Sequence, residues 1–289
     1  MFEKVLSPIL RIGSKILLNS PLVRSNTVIA LGRFVRSYAK SNIVEIEGRK
    51  MFVHGHDGLA LSIFKVYEPI QTQIVKKYVK EGDVVLDIGA NIGYYTLLFA
   101  QLVGSKGRVF SFEPDPVNFD LLRKSVDLNG YQNVTLIQKA VSNKNGKLEL
   151  HIGKENRAIN RIYDAGMSDT EDSIEIDTIL LDDYFKDHGL KIDFAKIDVE
   201  GSESGVIEGM SSILKKSKNL KIMTEFDPFL MKKFGVDAAN YIQLLLEHGF
   251  KLYDILREKG KFVPIISSES FRTTTPKEGD YTYLFCIKD

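Results

Sequence analysis

A short apolar run followed by a turn with two glycines constrains the fold of this chain more than any other feature. The run Val84–Ile88 predicts a strand buried on both faces, and Tyr94–Val103 has the composition of a following helix. Gly89 and Gly93 lie in the turn, where backbone without a side chain can approach a ligand closely. The G-x-x-x-G spacing differs from the G-x-G-x-x-G of dinucleotide-binding enzymes, which disfavours an oxidoreductase. The segment predicts a ligand site at the end of a buried strand.

Short apolar runs alternate with helical patterns from residue 83 onward. This alternation predicts an α/β domain whose mostly parallel sheet is covered by helices on both faces. Ligands bind such sheets outside the carboxyl ends of the strands. A hairpin is predicted over residues 43–53 and a polar segment over 153–173. The predicted strands are Val84–Ile88, Arg108–Phe112, Val134–Ile137, Lys147–Ile152, Phe194–Val199, Leu220–Glu225, Lys251–Leu256 and Tyr281–Ile287, and the predicted helices are Glu68–Lys80, Tyr94–Val103, Val117–Asn129, Val206–Lys216 and Tyr241–His248.

The second strand of the domain ends in Phe112-Glu113-Pro114, 26 residues after Asp87. An acidic residue at this position can accept hydrogen bonds from both ribose hydroxyls of an adenosine group. The alternative is a structural strand–turn–helix with a surface glutamate. Because both motifs occur together at this spacing, we predict a nucleoside-binding site that includes Glu113.

Five stretches of the chain together match the pattern of one enzyme family. They resemble the FkbM-type methyltransferases, which belong to the class I methyltransferases that use S-adenosyl-L-methionine. The resemblance covers roughly residues 45–285 and implies a Rossmann-like, mostly parallel sheet of seven strands with an antiparallel last strand. It also implies methyl transfer, usually to a hydroxyl oxygen. The five stretches are Val66–Pro69, Asp87–Thr96, Phe112–Pro116, Asp198–Gly201 and Met223–Glu225.

The resemblance also implies roles for individual residues of the cofactor site. The loop from Gly89 to Gly93, which includes Asn91, would hold the methionine part of S-adenosyl-L-methionine. Glu113 would bind the ribose, and Ala140, just past the third strand, would lie near the adenine. Asp87 would orient the amino end of the cofactor, directly or through water. These six positions are the predicted cofactor-binding residues.

Three carboxylates at the ends of adjacent strands are the candidate catalytic residues. An alcohol has a high pKa, so a nearby base must take its proton while the acceptor is held in line with the methyl group. We rank Asp198 first as this base, then Glu225, then Glu200. The alternative is that they orient neighbours or, for Glu200 or Ser202, cap the following helix. Three carboxylates could also bind Mg²⁺, but no metal is predicted, because the Asp-Asn pair of catechol-type enzymes is missing.

Polar residues outside these motifs leave two further alternatives open. His54 and His56 lie beside Asp57 and could supply a base on the substrate side, although a turn with satisfied polar groups is favoured. The segment Gly153–Ser173, which contains Asn160 and Arg161, is long enough for a substrate-side lid and is equally consistent with a solvated loop.

The charges of the chain are distributed unevenly. Residues 1–60 carry nine Lys/Arg and four Asp/Glu, whereas the remainder carries 30 and 34, so the body is a poor general nucleic-acid binder. Residues 1–42 are predicted to be a basic amphipathic helical appendage, 43–66 a hairpin lead-in and 67–289 the methyltransferase domain. The appendage packs on the domain or a second subunit, or residues 1–40 lie on an anionic membrane surface.

One cysteine, Cys286, fits a reducing compartment, so we predict a cytoplasmic protein. It could also lie peripherally on the inner face of a membrane. The predicted partner is a small-molecule or glycan acceptor rather than a nucleic acid, and a homo-oligomer is a further expectation. Two other functions remain open: a nucleic-acid methyltransferase, although Asp198–Gly201 lacks the expected prolines, and a membrane-associated scaffold that keeps the fold without catalysis.

Overall fold

The computed structural model describes most of the chain from Asn42 onward. The predicted appendage, with its membrane-surface alternative, therefore lies outside the described residues, as do His56, Asp57 and Arg157. The described residues are 42–55, 59, 61–153, 160–162, 170–256, 261–269, 277 and 279–288.

Strands and helices alternate through the described part of the chain as the sequence pattern predicts. The strands are β1 (Ile43–Ile46), β2 (Arg49–Phe52), β3 (Val84–Ile88), β4 (Arg108–Phe112), β5 (Val134–Ile137), β6 (Ala140–Val141), β7 (Gly146–Gly153), β8 (Thr170–Ile179), β9 (Phe194–Ile197), β10 (Lys221–Phe226), β11 (Lys251–Asp254), β12 (Val263–Ile265) and β13 (Thr282–Ile287). The helices are α1 (Leu61–Phe64), α2 (Pro69–Tyr78), α3 (Tyr94–Val103), α4 (Pro116–Asn129), α5 (Leu181–Phe185), α6 (Glu203–Glu208), α7 (Ser211–Lys216), α8 (Pro228–Lys233) and α9 (Ala238–Glu247).

The main sheet has the strand order β12-β11-β13-β10-β9-β3-β4-β5. Neighbouring strands from β10 to β5 are parallel, and β13 is antiparallel to both β10 and β11. The predicted α/β class, the mostly parallel sheet and the antiparallel last strand are therefore confirmed. Parallel strands end at one edge of the sheet, so β3, β4, β9 and β10 bring their carboxyl ends together there.

An eighth strand corrects the predicted count of seven. β12 pairs antiparallel with β11 at the edge of the sheet, with Pro264 opposite Tyr253. Proline cannot donate a backbone hydrogen bond and is confined to edge strands, so this three-residue run gives no strand signal in the sequence.

A second, three-stranded sheet includes both ends of the polar segment predicted over 153–173, since β7 ends at Gly153 and β8 begins at Thr170. β8 begins at Thr170, pairs antiparallel with β7 and runs parallel to β6. Its alternation of Ile174, Ile176 and Thr178 with charged residues is typical of a strand with one solvated face. The residues at 154–159 and 163–169 lie outside the described part, so the lid alternative stays a prediction.

The predicted helix Val206–Lys216 is two short helices, α6 and α7, separated at Gly209. A side chain on Gly209 would place its Cβ 2.2 Å from the carbonyl oxygen of Ser142. This close packing against the residue that follows β6 accounts for the glycine and for the break.

Helices cover both faces of the main sheet, as predicted. On one face α2, α3 and α4 bury Val75, Phe99 and Leu122, and on the other α6, α7 and α9 bury residues such as Leu214 and Tyr241. The predicted hairpin is confirmed as β1 and β2, which packs on α4. No helix within the described ranges is long and apolar enough to cross a membrane.

Candidate active site at the carboxyl ends of the strands

A cavity of about 260 Å³ lies at the carboxyl ends of β3, β4 and β9. Six of the nine predicted site residues line it, and Gly93, Asp87 and Glu225 do not. The strands that end at this edge therefore gather most of the predicted cofactor and catalytic positions. The six lining residues are Gly89, Asn91, Glu113, Ala140, Asp198 and Glu200.

The glycine turn brings the ends of three strands into contact. Gly89 has a φ of 79°, donates to the Phe112 carbonyl over 3.0 Å, and would place a Cβ 1.9 Å from the Asp198 carbonyl oxygen. Gly93, with a φ of 96°, begins α3. Side chains rarely adopt such positive φ angles, so glycine is required for both conformation and space at Gly89.

Glu113 is held at the end of β4 by backbone groups. Its Oε2 accepts from the Asn91 N–H over 2.8 Å, and its Oε1 accepts from the Asp115 N–H over 2.9 Å. The Asn118 side chain also hydrogen-bonds to this carboxylate, so three of its roughly four acceptor positions are used and about one remains for a ligand hydroxyl. Burial raises the pKa of Glu113 to about 8, although these two N–H groups favour the ionised form.

Asp87 lies beneath the turn and is fully buried. Its Oδ2 accepts from the Thr96 hydroxyl over 2.6 Å, whereas its Oδ1 has no hydrogen-bond partner among the described residues. Burial raises the pKa of Asp87 to about 6. A buried carboxylate oxygen without a donor is costly unless a ligand or a water molecule supplies one.

An apolar wall closes the end of the cavity beside Glu113. Ala140 and Leu150 belong to a cluster between β6, β7 and β8, and Ile162 packs against it. Asn118 also lines this end and pairs with His54 Nε2 over 2.8 Å. One ring nitrogen of His54 therefore has a hydrogen-bond partner, and because His56 lies outside the described residues the choice between a turn and a base on the substrate side stays a prediction.

The three candidate catalytic carboxylates converge. One carboxylate oxygen from each of Asp198, Glu200 and Glu225 lies within 4.8 Å of the others. Burial, together with the charge of Asp198, raises the pKa of both Glu200 and Glu225 well above the usual range. Burial therefore favours the protonated form of two of the three carboxyl groups.

Asp198 is the ionised member of this group. Burial alone would raise its pKa, but Lys196 and Tyr283 hold the pKa below the usual range. Lys196 Nζ and the Tyr283 hydroxyl each donate to Asp198 Oδ2 over 2.7 Å. Glu225 also makes a side-chain hydrogen bond to Asp198. An ionised carboxylate beside the cavity is available as a proton acceptor.

The structure does not support the alternative in which Glu200 or Ser202 caps the following helix with its side chain. Ser202 occupies the N-cap position of α6 without a side-chain capping bond, and its hydroxyl donates to the Val199 carbonyl. Glu203 instead accepts from the N–H groups of Val199 and Gly201. Glu200 has a φ of 55°, a left-handed conformation that turns the chain beside the cavity.

Sequence reasoning missed three residues of this site: Lys196, Glu68 and Tyr283. Lys196 is 2% exposed, lines the cavity and lies 4.7 Å from the Tyr95 ring centroid. Glu68 accepts from the Tyr95 hydroxyl over 2.8 Å, and burial raises its pKa to about 7. A lysine inside the apolar strand Phe194–Ile197 was the signal for Lys196, since unpaired lysine is seldom buried, and Glu68 lies in the stretch Val66–Pro69 that carries the family resemblance.

The carboxylate group offers oxygen ligands of the kind that a hard divalent cation prefers. Lys196, however, already places an ammonium against Asp198. That fixed positive charge gives the ionised carboxylate a counter-ion without a metal.

A model of the methyltransferase FkbM domain matches residues 87–252, which span more than half of the chain and contain all nine predicted site residues. The chain belongs to the FkbM methyltransferase domain family. The predicted family resemblance is thereby confirmed.

Three relatives of this FkbM domain chain are about equally similar. The 2-O-methyltransferase NoeI of Sinorhizobium fredii is 30% identical over 163 residues, covering 52% of this chain and 66% of NoeI. The hexuronic acid methyltransferase AglP of Haloferax volcanii is 31% identical over 169 residues, covering 58% and 63%. The 31-O-demethyl-FK506 methyltransferase FkbM of Streptomyces tacrolimicus is 31% identical over 158 residues, covering 45% and 60%. The aligned region spans less than two thirds of each relative.

Proposed function

We propose that this chain transfers the methyl group of S-adenosyl-L-methionine to a hydroxyl oxygen of a small molecule, sugar or glycan. One observation carries the proposal: a single cavity has the glycine turn and Glu113 at one end and the ionised Asp198 near the other. The relatives NoeI and AglP, named as a 2-O-methyltransferase and a hexuronic acid methyltransferase, support an oxygen acceptor on a sugar.

The residues at the glycine turn fit the cofactor. Glu113 keeps acceptor capacity for a ribose hydroxyl beside its bonds to the Asn91 and Asp115 N–H groups and to the Asn118 side chain. Asp87 Oδ1 lacks a donor, which an amino group supplies directly or through water. Gly89 has no side chain where the backbone must approach the ligand, and Ala140 belongs to an apolar wall that suits the adenine ring. We therefore propose these residues, with Asn91 and Gly93 in the turn, as the cofactor site.

The carboxylates at the other end suit proton removal. S-Adenosyl-L-methionine, when bound, supplies an electrophilic methyl group on a sulfonium sulfur. Asp198 is ionised and lines the cavity, so it accepts the hydrogen bond and then the proton of the acceptor hydroxyl. The raised pKa of Glu200 favours its protonated form, which can donate to another oxygen of the acceptor. Glu225 lies behind Asp198 and helps to keep it ionised.

We also propose that no metal takes part. Lys196 supplies the positive charge beside Asp198 that a divalent cation supplies in metal-assisted methyl transfer. The proposal keeps the ranking in which Asp198 precedes Glu225 and Glu200 as the base. The reason is ionisation: a protonated carboxyl group cannot accept a proton.

The remaining partners are proposals that the N-terminal segment and the charge pattern motivate. We propose no nucleic-acid partner, and either a second subunit or an anionic membrane surface as the contact of residues 1–40. Tight, salt-sensitive retention of RNA or DNA in filter binding would contradict the first proposal. Sedimentation with anionic liposomes that depends on residues 1–40 would select the membrane.

The test of the proposed activity is transfer of a labelled methyl group. The full chain is incubated with S-adenosyl-L-methionine labelled at the methyl carbon and with extracts of the organism that encodes it, and labelled products are separated and identified. We expect a product that appears with the native chain and with Asp187→Asn, an exposed control. Glu113→Ala and Asp198→Asn should abolish it. The absence of any labelled product above the Asp198→Asn background contradicts the proposal.

A further inference from the structure

The cavity has an orientation, because its two ends differ in chemistry. Glu113 and the apolar wall around Ala140 form one end, where the proposed function places the ribose and the adenine. Past Gly89, the opposite end is lined by Tyr67, Lys196 and Asp198. A ligand whose adenosine lies at the first end must direct the rest of its length toward the second.

The second end has unused hydrogen-bond donors. Lys196 Nζ has three donors, and Asp198 is the one acceptor to which the structure bonds it among the described residues. The Tyr67 ring packs edge-on against Tyr94, with centroids 5.8 Å apart. No hydrogen bond joins the Tyr67 hydroxyl to a residue in the described part of the chain, and the side chain faces the cavity. Both groups can donate to an anion.

The same end has carboxyl groups beside the lysine. Asp198 and Glu200 line the cavity, and Glu68 and Asp87 lie close to Lys196. A zwitterion fits this arrangement, because its carboxylate accepts from Lys196 and Tyr67 while its ammonium lies beside the carboxyl groups, Asp87 among them.

We propose that Lys196 and Tyr67 bind the carboxylate of the amino-acid end of the cofactor, which rests on the proposed function above. The first is a buried ammonium in β9, and the second comes from the segment before α2, outside the region that the family model matches. The amino-acid end therefore depends on a segment that the FkbM domain match does not include.

The turn before α2 is built to hold this position. Lys65 and Glu68, which flank Val66 and Tyr67, both have left-handed backbone, with φ angles of 58° and 46°. Left-handed backbone at non-glycine residues costs free energy and is concentrated at ligand sites. Three hydrogen bonds hold the turn: Tyr95 hydroxyl to Glu68 carboxylate, Thr72 hydroxyl to Tyr67 carbonyl, and Thr72 N–H to Glu68 carbonyl. Glu68 thus positions the binding groups and does not itself line the cavity.

The experiment compares two ligands that differ only at the amino-acid end. S-Adenosylhomocysteine has it, and 5′-deoxy-5′-methylthioadenosine keeps the adenosine and the sulfur without it. Calorimetric titrations of the full chain give both affinities. We expect Lys196→Met to lower the affinity for S-adenosylhomocysteine at least tenfold, and Tyr67→Phe to lower it about threefold to tenfold. Neither variant should change the affinity for 5′-deoxy-5′-methylthioadenosine by more than twofold.

Three controls make the result decisive. Lys191→Met, at an exposed lysine just before β9, should change neither affinity. Glu113→Gln should lower the affinities for both ligands by the same factor. Thermal melts check folding, and if Lys196→Met does not fold, Tyr67→Phe alone decides, because it removes one oxygen. An unchanged ratio between the two ligands in the folded variants overturns the proposal and leaves the proposed function intact. A native chain that binds neither ligand overturns both.

Discussion

The two ends of the cavity are built in different ways. At the adenosine end, Glu113 is fixed by backbone N–H groups of residues two and 22 positions away, and Gly89 is fixed by its own backbone conformation. At the end lined by Tyr67, Lys196 and Asp198, Asp198 is held by two side chains, Lys196 in β9 and Tyr283 in β13, and Tyr283 lies 85 residues away in sequence. A site made by backbone is specified by a short motif, whereas a site made by side chains requires the whole sheet.

The difference has an energetic consequence. Backbone donors come with the fold, but side-chain clusters of like charge must be kept together by burial. Several carboxyl groups here have raised pKa values for that reason, among them Glu68 and Glu203 at about 7. Such groups lower stability when they ionise and are retained where they act on a ligand.

The largest effect should come from adding a side chain at the backbone-built end. Gly89→Ala would place Cβ 1.9 Å from the Asp198 carbonyl, so we expect loss of S-adenosylhomocysteine binding by more than 100-fold or failure to fold. Gly82→Ala is the matched control, because Gly82 has a φ of 88° with no atom within 4 Å of the added Cβ. It should cost only about 1–2 kcal/mol in the free energy of unfolding, measured by denaturant titration. Equal effects in the two variants would show that the close approach at Gly89 is unimportant.

A change at the side-chain-built end should separate reaction from binding. Asp198→Asn removes the proposed base, so methyl transfer to the acceptor identified by labelling should fall about 100-fold or more. The affinity for 5′-deoxy-5′-methylthioadenosine, which lacks the amino-acid end, should change by less than twofold, because the adenosine end is untouched. Rates and calorimetric affinities are compared with those of Asp187→Asn. A variant that transfers methyl groups at the native rate would exclude Asp198 as the base.

Stability of the ligand-free chain should fall as pH rises. Glu113 has an ordinary pKa of 4.5 and a folded pKa of about 8, so the folded state holds more protons between these values. Stability is then full below about pH 4.5 and decreases up to about pH 8, by on the order of a few kcal/mol for this group. Asp87 acts in the same direction up to about pH 6. Melting temperatures from pH 5 to 8.5 test this, and Glu113→Gln should show a clearly smaller decrease. A stability that increases over this range contradicts the raised pKa values.

The smallest expected effect concerns metal. Removal of divalent cations with EDTA should change the rate of methyl transfer by less than twofold, because Lys196 already neutralises Asp198. Addition of millimolar Mg²⁺ should have equally little effect. A loss of activity in EDTA that Mg²⁺ restores would assign a cation to the carboxylates of Asp198, Glu200 and Glu225.

The sequence predicted the adenosine end well because its parts are local. A buried strand, a glycine turn and an acidic residue after the next strand follow from periodicity and spacing, and Gly89, Asn91, Glu113 and Ala140 all line the cavity. The mostly parallel sheet with helices on both faces follows from the same alternation of strands and helices. Strand β12 and the break at Gly209 depend on tertiary packing that leaves little pattern in the sequence.

The end of the cavity that is lined by Tyr67, Lys196 and Asp198 could be predicted only in part. Asp198, Glu200 and Glu225 follow from the positions of strand ends, but their different ionisation depends on Lys196 and Tyr283. Tyr283 comes from the last strand, 85 residues after Asp198. Glu68 precedes β3, the first strand of the main sheet in chain order, and reaches the cluster through the Tyr95 hydroxyl. No spacing rule links such distant positions, so their association is visible only in the folded chain.

The central claim is that this cavity binds the cofactor and that Glu113 contributes to the binding. Calorimetric titration of the full chain with S-adenosylhomocysteine tests this claim most directly. The native chain should bind one equivalent with a dissociation constant in the micromolar range. Glu113→Ala should weaken binding at least 30-fold, whereas Glu81→Ala, at a glutamate that is 67% exposed, should leave it unchanged. No binding by the native chain, or native affinity in Glu113→Ala, would contradict the account.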